Sequence, residues 1–306
     1  MDLHSGLPYW IIRNSLWDYF HPLEKDLSTD VVIVGSGITG ALMAHELCHA
    51  GIKCCIVDKR SIATGSSAAS TALLQYEIDV PLCRMAKIIG EENAATAYHA
   101  CLQSISDIKR VLEETGVNAG FEQLPSLFYA SSAADNKLLE QEHEIRQKHK
   151  LPVNLLEKKK IREEYKVKTP GNALINEASA QMDAYRAATG LLAYHIKESG
   201  LKVFTHTSIK ECIETSDGCI MTTDRGHKIK CGYVIIATGF EAGQFLPQKI
   251  MDLTSTYALV SHPVASEHLW PTHCLIWETA DPYLYIRTTD KNRIIVGGED
   301  EKFSDP

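Results

Sequence analysis

The apolar positions of this chain fall into short runs and helical stripes that punctuate one another from residue 30 onward. Asp30-Val-Val-Ile-Val34 predicts a strand over 30–34. A helical pattern follows over about 38–50 and closes at Gly51, a residue type that commonly ends helices. Lys53-Cys-Cys-Ile-Val57 predicts a second strand, which stops on Asp58. Residues 81–115 read as helical, with Pro81 near the start and Gly116 past the end. A strand lies within 121–130, a polar helix over 133–149 and a short helix over 157–165. Residues 171–183 read as irregular. A helix over 184–199 closes at Gly200 and leads into a strand at 202–206. Residues 208–230 alternate like a meander, with turns at Ser216-Asp217 and Asp224-Arg225-Gly226. Tyr233-Val-Ile-Ile-Ala-Thr-Gly239 predicts a buried strand ending in small residues. Residues 254–264 and 274–278 look extended, and 283–287 with 293–296 look like a hairpin.

Between the first two strands, Gly35, Gly37 and Gly40 are spaced G-x-G-x-x-G, with a strand before them and a helix after. Each glycine has its own job in a dinucleotide fingerprint. Gly35 allows the tight turn, Gly37 lets the backbone approach a pyrophosphate, and Gly40 lets the helix pack close to the strand. The N–H groups at the helix start then face phosphate charge. Asp58 stands where a carboxylate can bond ribose hydroxyls, and it would repel a 2′-phosphate. The motif alone does not separate NAD from FAD. After Asp58 comes Thr64-Gly-Ser-Ser-Ala-Ala-Ser-Thr-Ala-Leu-Leu74. It reads either as a helix start rich in small residues or as a loop and helix N-terminus that approach a flat cofactor closely.

Composition narrows the classes. The 306 residues suffice for a large core and two domains. Hydrophobic content of 44% and charged content of 23% are those of a soluble globular protein. A net charge of −8 disfavours nucleic acid as partner, since phosphate binding needs a basic face. Nine cysteines without C-x-x-C spacing suggest a reducing compartment, and a cytoplasmic location is expected. Cys54 and Cys55 are adjacent in the apolar second strand, where cysteine behaves as a small hydrophobe. The 13 histidines are spread out, and no metal site is indicated. No apolar run approaches the ~18 residues that span a bilayer. Residues 7–20 lack the features of a signal peptide and read as an aromatic arm packing on the body of the protein.

The order of these motifs resembles the flavoprotein superfamily of D-amino-acid oxidase, glycine oxidase, sarcosine oxidase and FAD-linked glycerol-3-phosphate dehydrogenase. Four features carry the resemblance: the fingerprint with Asp58, Gly65-Ser-Ser-Ala-Ala-Ser-Thr71 directly after it, Met182-Asp-Ala-Tyr-Arg186 before a helix, and Val234-Ile-Ile-Ala-Thr-Gly239. The resemblance implies an α/β fold, a Rossmann-like FAD-binding domain with a second, mixed-sheet α+β substrate domain. The first would take residues 1–80 plus 171–250, with 1–29 as an N-terminal arm. The second would take 81–170 plus 251–306. It implies that Gly35, Ser36, Gly37, Thr39 and Gly40 wrap the pyrophosphate of FAD, and that Asp58 holds the adenosine ribose beside Lys59 and Arg60. Gly65, Ser66, Ser67, Ser70, Thr71 and Ala72 would lie near the flavin and its ribityl chain. Ile209 would read adenine through its backbone, and Ala237, Thr238 and Gly239 would pass close to the cofactor.

The implied chemistry is oxidation of a small amine or amino acid by hydride transfer to the flavin, with oxygen or another acceptor taking the electrons. In such enzymes the flavin carries the redox step and the protein orients the substrate. A substrate carboxylate wants a bidentate cation, which makes Arg287, ahead of Arg293, the candidate. Tyr257, Tyr283 and Tyr285 are candidates to line the pocket. Alternatively, Tyr283, Tyr285 and Arg287 share one strand face that is simply solvated. Tyr76, Glu77 and Asp79 are polar groups placed to approach the site, with Glu77 a candidate acid. Proteins of this kind continue beyond the last hairpin with a glycine-containing stretch and a helix that cover the flavin. A fragment, or a line that has lost that cap, is therefore expected. Two alternatives stand beside the amine oxidase: a truncated, non-catalytic flavin- or nucleotide-binding protein, and an FAD-linked dehydrogenase of a hydroxy acid or polyol phosphate. An NAD-dependent enzyme is disfavoured, because 65–71 and 237–239 have no natural role in that fold.

Overall fold

The computed structural model describes residues 4–17, 19–246, 248–249 and 252–302. A short helix α1 (Tyr9–Asn14) precedes β1 (Leu27–Val34), α2 (Ile38–His49) and β2 (Cys54–Val57). The chain continues through α3 (Ser66–Ala69), β3 (Leu73–Leu74), α4 (Leu82–Ile89), α5 (Glu91–Thr115), β4 (Glu122–Tyr129), α6 (Asn136–Lys148), β5 (Asn154–Leu156) and the single turn α7 (Lys158–Lys160). Next come β6 (Ala173–Gln181), α8 (Ala184–Glu198), β7 (Lys202–Phe204), β8 (Ile209–Thr215), β9 (Gly218–Thr223) and β10 (Lys228–Ile236). Strands β11 (Thr254–Val260), β12 (Leu275–Glu278), β13 (Leu284–Thr288) and β14 (Ile294–Lys302) close the described chain.

Two sheets organise these elements. The first runs β7-β2-β1-β10-β9-β8, with β7, β2, β1 and β10 parallel and the β8–β9–β10 meander antiparallel. The last four residues of β1 are all buried, as a parallel strand covered on both faces should be. Ile33 and Ile56 pack under α2 and α8 with Ala41, Ala44, Ala188 and Leu192. Val32, Val34, Cys55 and Val57 face the other way, against Met221 and Ile229 of the meander. The second sheet runs β11-β14-β13-β12-β4-β6-β3, with β5 added on β6. The result is the α/β fold with a second mixed sheet that the sequence predicts.

Residues 171–183 correct the sequence reading. They are not irregular: β6 is a nine-residue strand paired with β3, β4 and β5. Its apolar residues do not alternate because both faces are largely covered, and Asn176 is buried in its middle. The helix expected over 81–115 is broken at Gly90, whose φ of 87° separates α4 from α5. The strand read as buried at 233–239 is the end of β10, and Tyr233 is 74% exposed there. Part of the N-terminal segment packs on the body of the protein, while Leu7, Ile12, Leu16 and Tyr19 are exposed. Trp10 is buried in the core over the first sheet and donates its Nε1–H to the Ser70 carbonyl at 2.7 Å.

Candidate active site

The parallel strands β1, β2 and β10 end side by side, and a cleft of about 290 Å3 opens there. This is where open α/β sheets place their ligands. Gly35, Gly37 and Thr39 form one wall; Asp58, Lys59 and Arg60 continue from β2. Gly65, Ser66, Ser67 and Ser70 border it from α3. Ile209, at the start of β8, and Ala237, Thr238 and Gly239, after β10, complete it. Fourteen predicted residues, far apart in sequence, thus share one cleft.

The glycines are explained by close approach. A Cβ at Gly35 would overlap the Ala237 carbonyl, and the backbone there has φ 109°. A Cβ at Gly40 would overlap the Gly35 carbonyl, so Gly40 seats α2 against the loop rather than lining the cleft. Gly37 has only the Ser67 hydroxyl nearby, at 3.0 Å from an added Cβ. Ser67 Oγ in turn accepts the Ile38 N–H at 2.9 Å. No protein acceptor among the described residues takes the Gly37, Thr39 or Gly40 N–H, so the start of α2 presents donors, as an anion-binding helix end does.

Asp58 holds the loop as well as lining the cleft. Its Oδ2 accepts from Ser36 N at 2.8 Å and Ser36 Oγ at 2.6 Å, and its Oδ1 from Arg60 N at 2.8 Å. Ser36 is fully buried beneath the cleft and also accepts from Ala63 N at 3.2 Å. It therefore acts through Asp58 and not, as the sequence suggests, by wrapping a ligand. Glu241, which sequence reasoning missed, accepts from Lys59 Nζ at 2.5 Å and Arg60 Nη1 at 2.8 Å. Burial alone would raise its pKa, but the Arg60 and Lys59 hydrogen bonds hold the carboxyl below its ordinary value. Nothing local in Gly239-Phe-Glu241 announces this; only the turn after β10 brings Glu241 over the cations. Thr207, Ser208, Gln244 and Phe245 also line the cleft and were likewise not foreseen.

Residues 71, 72 and 287 form a separate assembly. Arg287 is 3% exposed, and its Nη1 donates to the carbonyls of Thr71 at 2.9 Å, Ala72 at 3.0 Å and Met182 at 2.8 Å. Its guanidinium stacks over Trp10, 5.6 Å from the ring centroid. Burial lowers its pKa to about 10. Ala72 is held at φ 53°, unusual for a residue with a Cβ. Arg287 thus clamps the turn that follows α3, and Thr71 and Ala72 reach it with their backbone rather than lining the cleft. Replacing Arg287 by Met leaves three carbonyls without their donor, so a loss of about 3–5 kcal/mol is expected by denaturant titration. A loss below 1 kcal/mol would contradict the clamp.

The remaining candidates lie on the second sheet. The Tyr285 ring covers Gly297, and its hydroxyl neighbours Thr256 and Thr71. Tyr257 is 53% exposed and donates to Glu301 at 3.1 Å. Tyr283 donates to Asp79 at 2.8 Å. Arg293 donates to the Ser261 carbonyl at 2.7 Å. Glu77 does not approach the cleft: it is buried against Arg146 and Asn176 behind β6. The three metal-type ligands that come together among the described residues, Glu91, Glu92 and His149, sit at the surface, with Glu91 paired to Lys148 and His149. No helix among them is long and apolar enough to cross a membrane.

The residues present fit a dinucleotide. The buried Thr238 hydroxyl has no hydrogen-bond partner among the described residues, and Thr238 lines the same cleft as the glycine loop. The chain is similar to a putative Rieske 2Fe-2S iron-sulfur protein of Bacillus subtilis, 23% identical over 232 residues, covering 76% of this chain and 44% of that protein. It thus spans less than half the length of this curated relative. Its fold is similar to that of glycine oxidase from Geobacillus kaustophilus (TM-score 0.73, 20% identity, 92% of this chain and 73% of that one). It is also similar to L-proline dehydrogenase from P. horikoshii (TM-score 0.72, 21% identity, 89% and 70%). Residues 30–306 match the family described as DAO, FAD dependent oxidoreductase. The chain therefore belongs to the DAO family of FAD dependent oxidoreductases, and its cofactor is FAD.

Proposed function

We propose that the cleft holds FAD and that the protein oxidises a small amine or amino acid, passing the electrons on to oxygen or another acceptor. The observation that carries this reading is the meeting of two distant motifs, Gly35–Gly40 and Ala237–Gly239, around one cleft with a buried Thr238 hydroxyl that has no partner among the described residues. When bound, FAD supplies the two-electron acceptor for a hydride leaving the substrate carbon. The N-terminal N–H groups of α2 take the pyrophosphate, and Asp58 orders the loop and accepts from the adenosine ribose. Ile209 borders the adenine end, and Ser66, Ser67 and Ser70 border the ribityl chain. The first sheet forms the cofactor domain and the second the substrate domain. Arg287 acts by holding the Thr71–Ala72 backbone, with Tyr285 beside it, so its contribution to substrate binding is positional.

Asp58→Ala removes both the loop anchor and the ribose acceptor. Hydrogen bonds to charged groups contribute about 1.5–3 kcal/mol each, so FAD affinity is expected to fall about 10- to 100-fold in a fluorescence titration. Unchanged affinity would count against Asp58 as a ligand. The reaction class is tested by anaerobic flavin bleaching with a panel of amino acids, secondary amines, 2-hydroxy acids and polyol phosphates. Bleaching by an amine or amino acid is the expected result. Bleaching by hydroxy compounds alone would move the activity to C–O oxidation, and no bleaching at all would leave a flavin-binding protein without turnover.

A further inference from the structure

At the end of the βαβ unit opposite the cleft, two thiols meet. Cys48, in the last turn of α2, and Cys54, the first residue of β2, place their sulfurs 3.9 Å apart, and both are free and half-buried. A line of side chains from α2 and α8 backs them. His45 Nδ1 lies 3.0 Å from His195 Nε2, and His195 Nδ1 lies 3.0 Å from Ser199 Oγ, which also neighbours Cys48. His45 and His195 are 5% and 3% exposed, and burial lowers both pKa values, so both imidazoles are neutral. Hydrogen bonding can run in either direction along His45, His195 and Ser199. In the direction that serves Cys48, His45 Nδ1–H donates to His195, His195 Nδ1–H donates to Ser199, and the Ser199 hydroxyl is left to turn its proton toward the neighbouring Cys48 sulfur. Such an acceptor end favours a thiolate. With the Cys54 thiol as first donor and Ser199 as second, the Cys48 pKa is lowered to about 7, whereas Cys54 is pushed up. Other titratable groups around the line are His49 and Glu46 on α2 and Arg110 and Glu114 on α5.

We propose that Cys48 and Cys54 form a peroxide-reactive dithiol, with Ser199 and His195 as the positioning residues that activate Cys48. The Cys48 thiolate attacks one oxygen of a hydroperoxide; the O–O bond breaks, the second oxygen leaves as hydroxide or alkoxide and takes a proton, and Cys48 becomes a sulfenic acid. The Cys54 thiol then attacks that sulfur, the S–S bond forms and water leaves. Two thiols are oxidised by two electrons and one peroxide bond is reduced. Closing from 3.9 Å to the ~2.05 Å of a disulfide asks for a side-chain rotation in the last turn of α2. The reaction does not depend on the cofactor reading, since no group of the cleft takes part.

Hydrogen peroxide at a few equivalents, followed by alkylation and peptide mass mapping, tests it on the whole chain. Lys53 separates the two thiols, so trypsin leaves the Cys48 peptide joined to Cys54-Cys-Ile-Val-Asp-Lys59 only if the bond has formed. The expected product is that cross-link, two hydrogens lighter, reversed by dithiothreitol, retained in Cys55→Ser and lost in Cys54→Ser. Iodoacetamide labelling of Cys48 should have a midpoint near pH 7 in the wild type and move upward by a unit or more in Ser199→Ala. A Cys48 midpoint of 8.5 or above in the wild type, or peroxide linking other cysteines instead, would overturn the proposal.

Discussion

Gly35→Ala is expected to yield a protein that neither takes up FAD nor keeps its wild-type stability. The new Cβ falls on the Ala237 carbonyl, and the φ of 109° is one that L side chains rarely adopt. The clash is with backbone, which no rotamer change can relieve. Backbone strain of about 1–3 kcal/mol adds to overpacking of about 1–3 kcal/mol. Relief comes only by separating the glycine loop from the end of β10, and that separation opens the two walls of the cleft. Thermal unfolding and FAD titration of the variant check both halves. Wild-type melting with full FAD uptake would show that the close approach of Gly35 and Ala237 is not needed.

Arg146→Met should destabilise the second sheet by about 3–5 kcal/mol, the cost of breaking a buried ion pair from one side. Arg146 and Glu142 are 0% exposed, and Glu77 is buried beside them. Glu142 accepts from Arg146 Nε at 2.7 Å and from the first two N–H groups of α4, Leu82 at 2.9 Å and Cys83 at 2.8 Å. Glu77 shares its Oε1 between Arg146 at 3.3 Å and Asn176 at 2.5 Å. One guanidinium therefore compensates two carboxyls that tie α6, α4 and β6 together. Burial already raises the Glu77 pKa against the opposing pull of Arg146, and removing the arginine raises it further. A carboxyl whose folded pKa lies above its unfolded value contributes stability at low pH that is lost as pH rises through the folded pKa. The deficit of Arg146→Met should therefore be smaller at pH 5 than at pH 8 in urea titrations. A deficit independent of pH would mean that Glu77 is not the group left uncompensated.

The sequence carried the nucleotide half of the site because its constraints are local. Gly35, Gly37, Gly40 and Asp58 sit at fixed spacing in one strand–helix–strand unit, and the structure places each beside the next. What was hidden depends on contacts between distant segments. Glu241 matters only because its turn returns to Lys59 and Arg60. Arg287 read either as a carboxylate ligand or as part of a solvated strand face, yet its Nη1 is taken by three carbonyls from residues 71, 72 and 182 and its Nε by the Thr288 carbonyl. Strand β6 was illegible for a related reason. Asn176 and Glu177 interrupt its apolar run, and the partner that makes a buried Asn176 acceptable, Glu77, lies in another part of the chain. Helix breaks at single glycines were likewise ambiguous. Gly51 ends α2 and Gly90 splits α4 from α5, and only the backbone distinguishes a terminus from a kink.

The central claim, that FAD occupies the cleft between the glycine loop and the end of β10, is tested most directly at Gly37. This residue has extended backbone at φ −69° and ψ −173°, so a branched side chain is conformationally acceptable there. Among the described residues the atom close to an added Cβ is the Ser67 hydroxyl, a side-chain atom that can shift at the cost of its hydrogen bond from the Ile38 N–H. Gly37→Val therefore fills the cleft while leaving the fold standing. Titration of apoprotein with FAD, followed by quenching of flavin fluorescence, should show one-to-one binding for the wild type and none for Gly37→Val at the same concentration, with closely similar melting temperatures. Equal FAD binding by the two proteins would contradict the account.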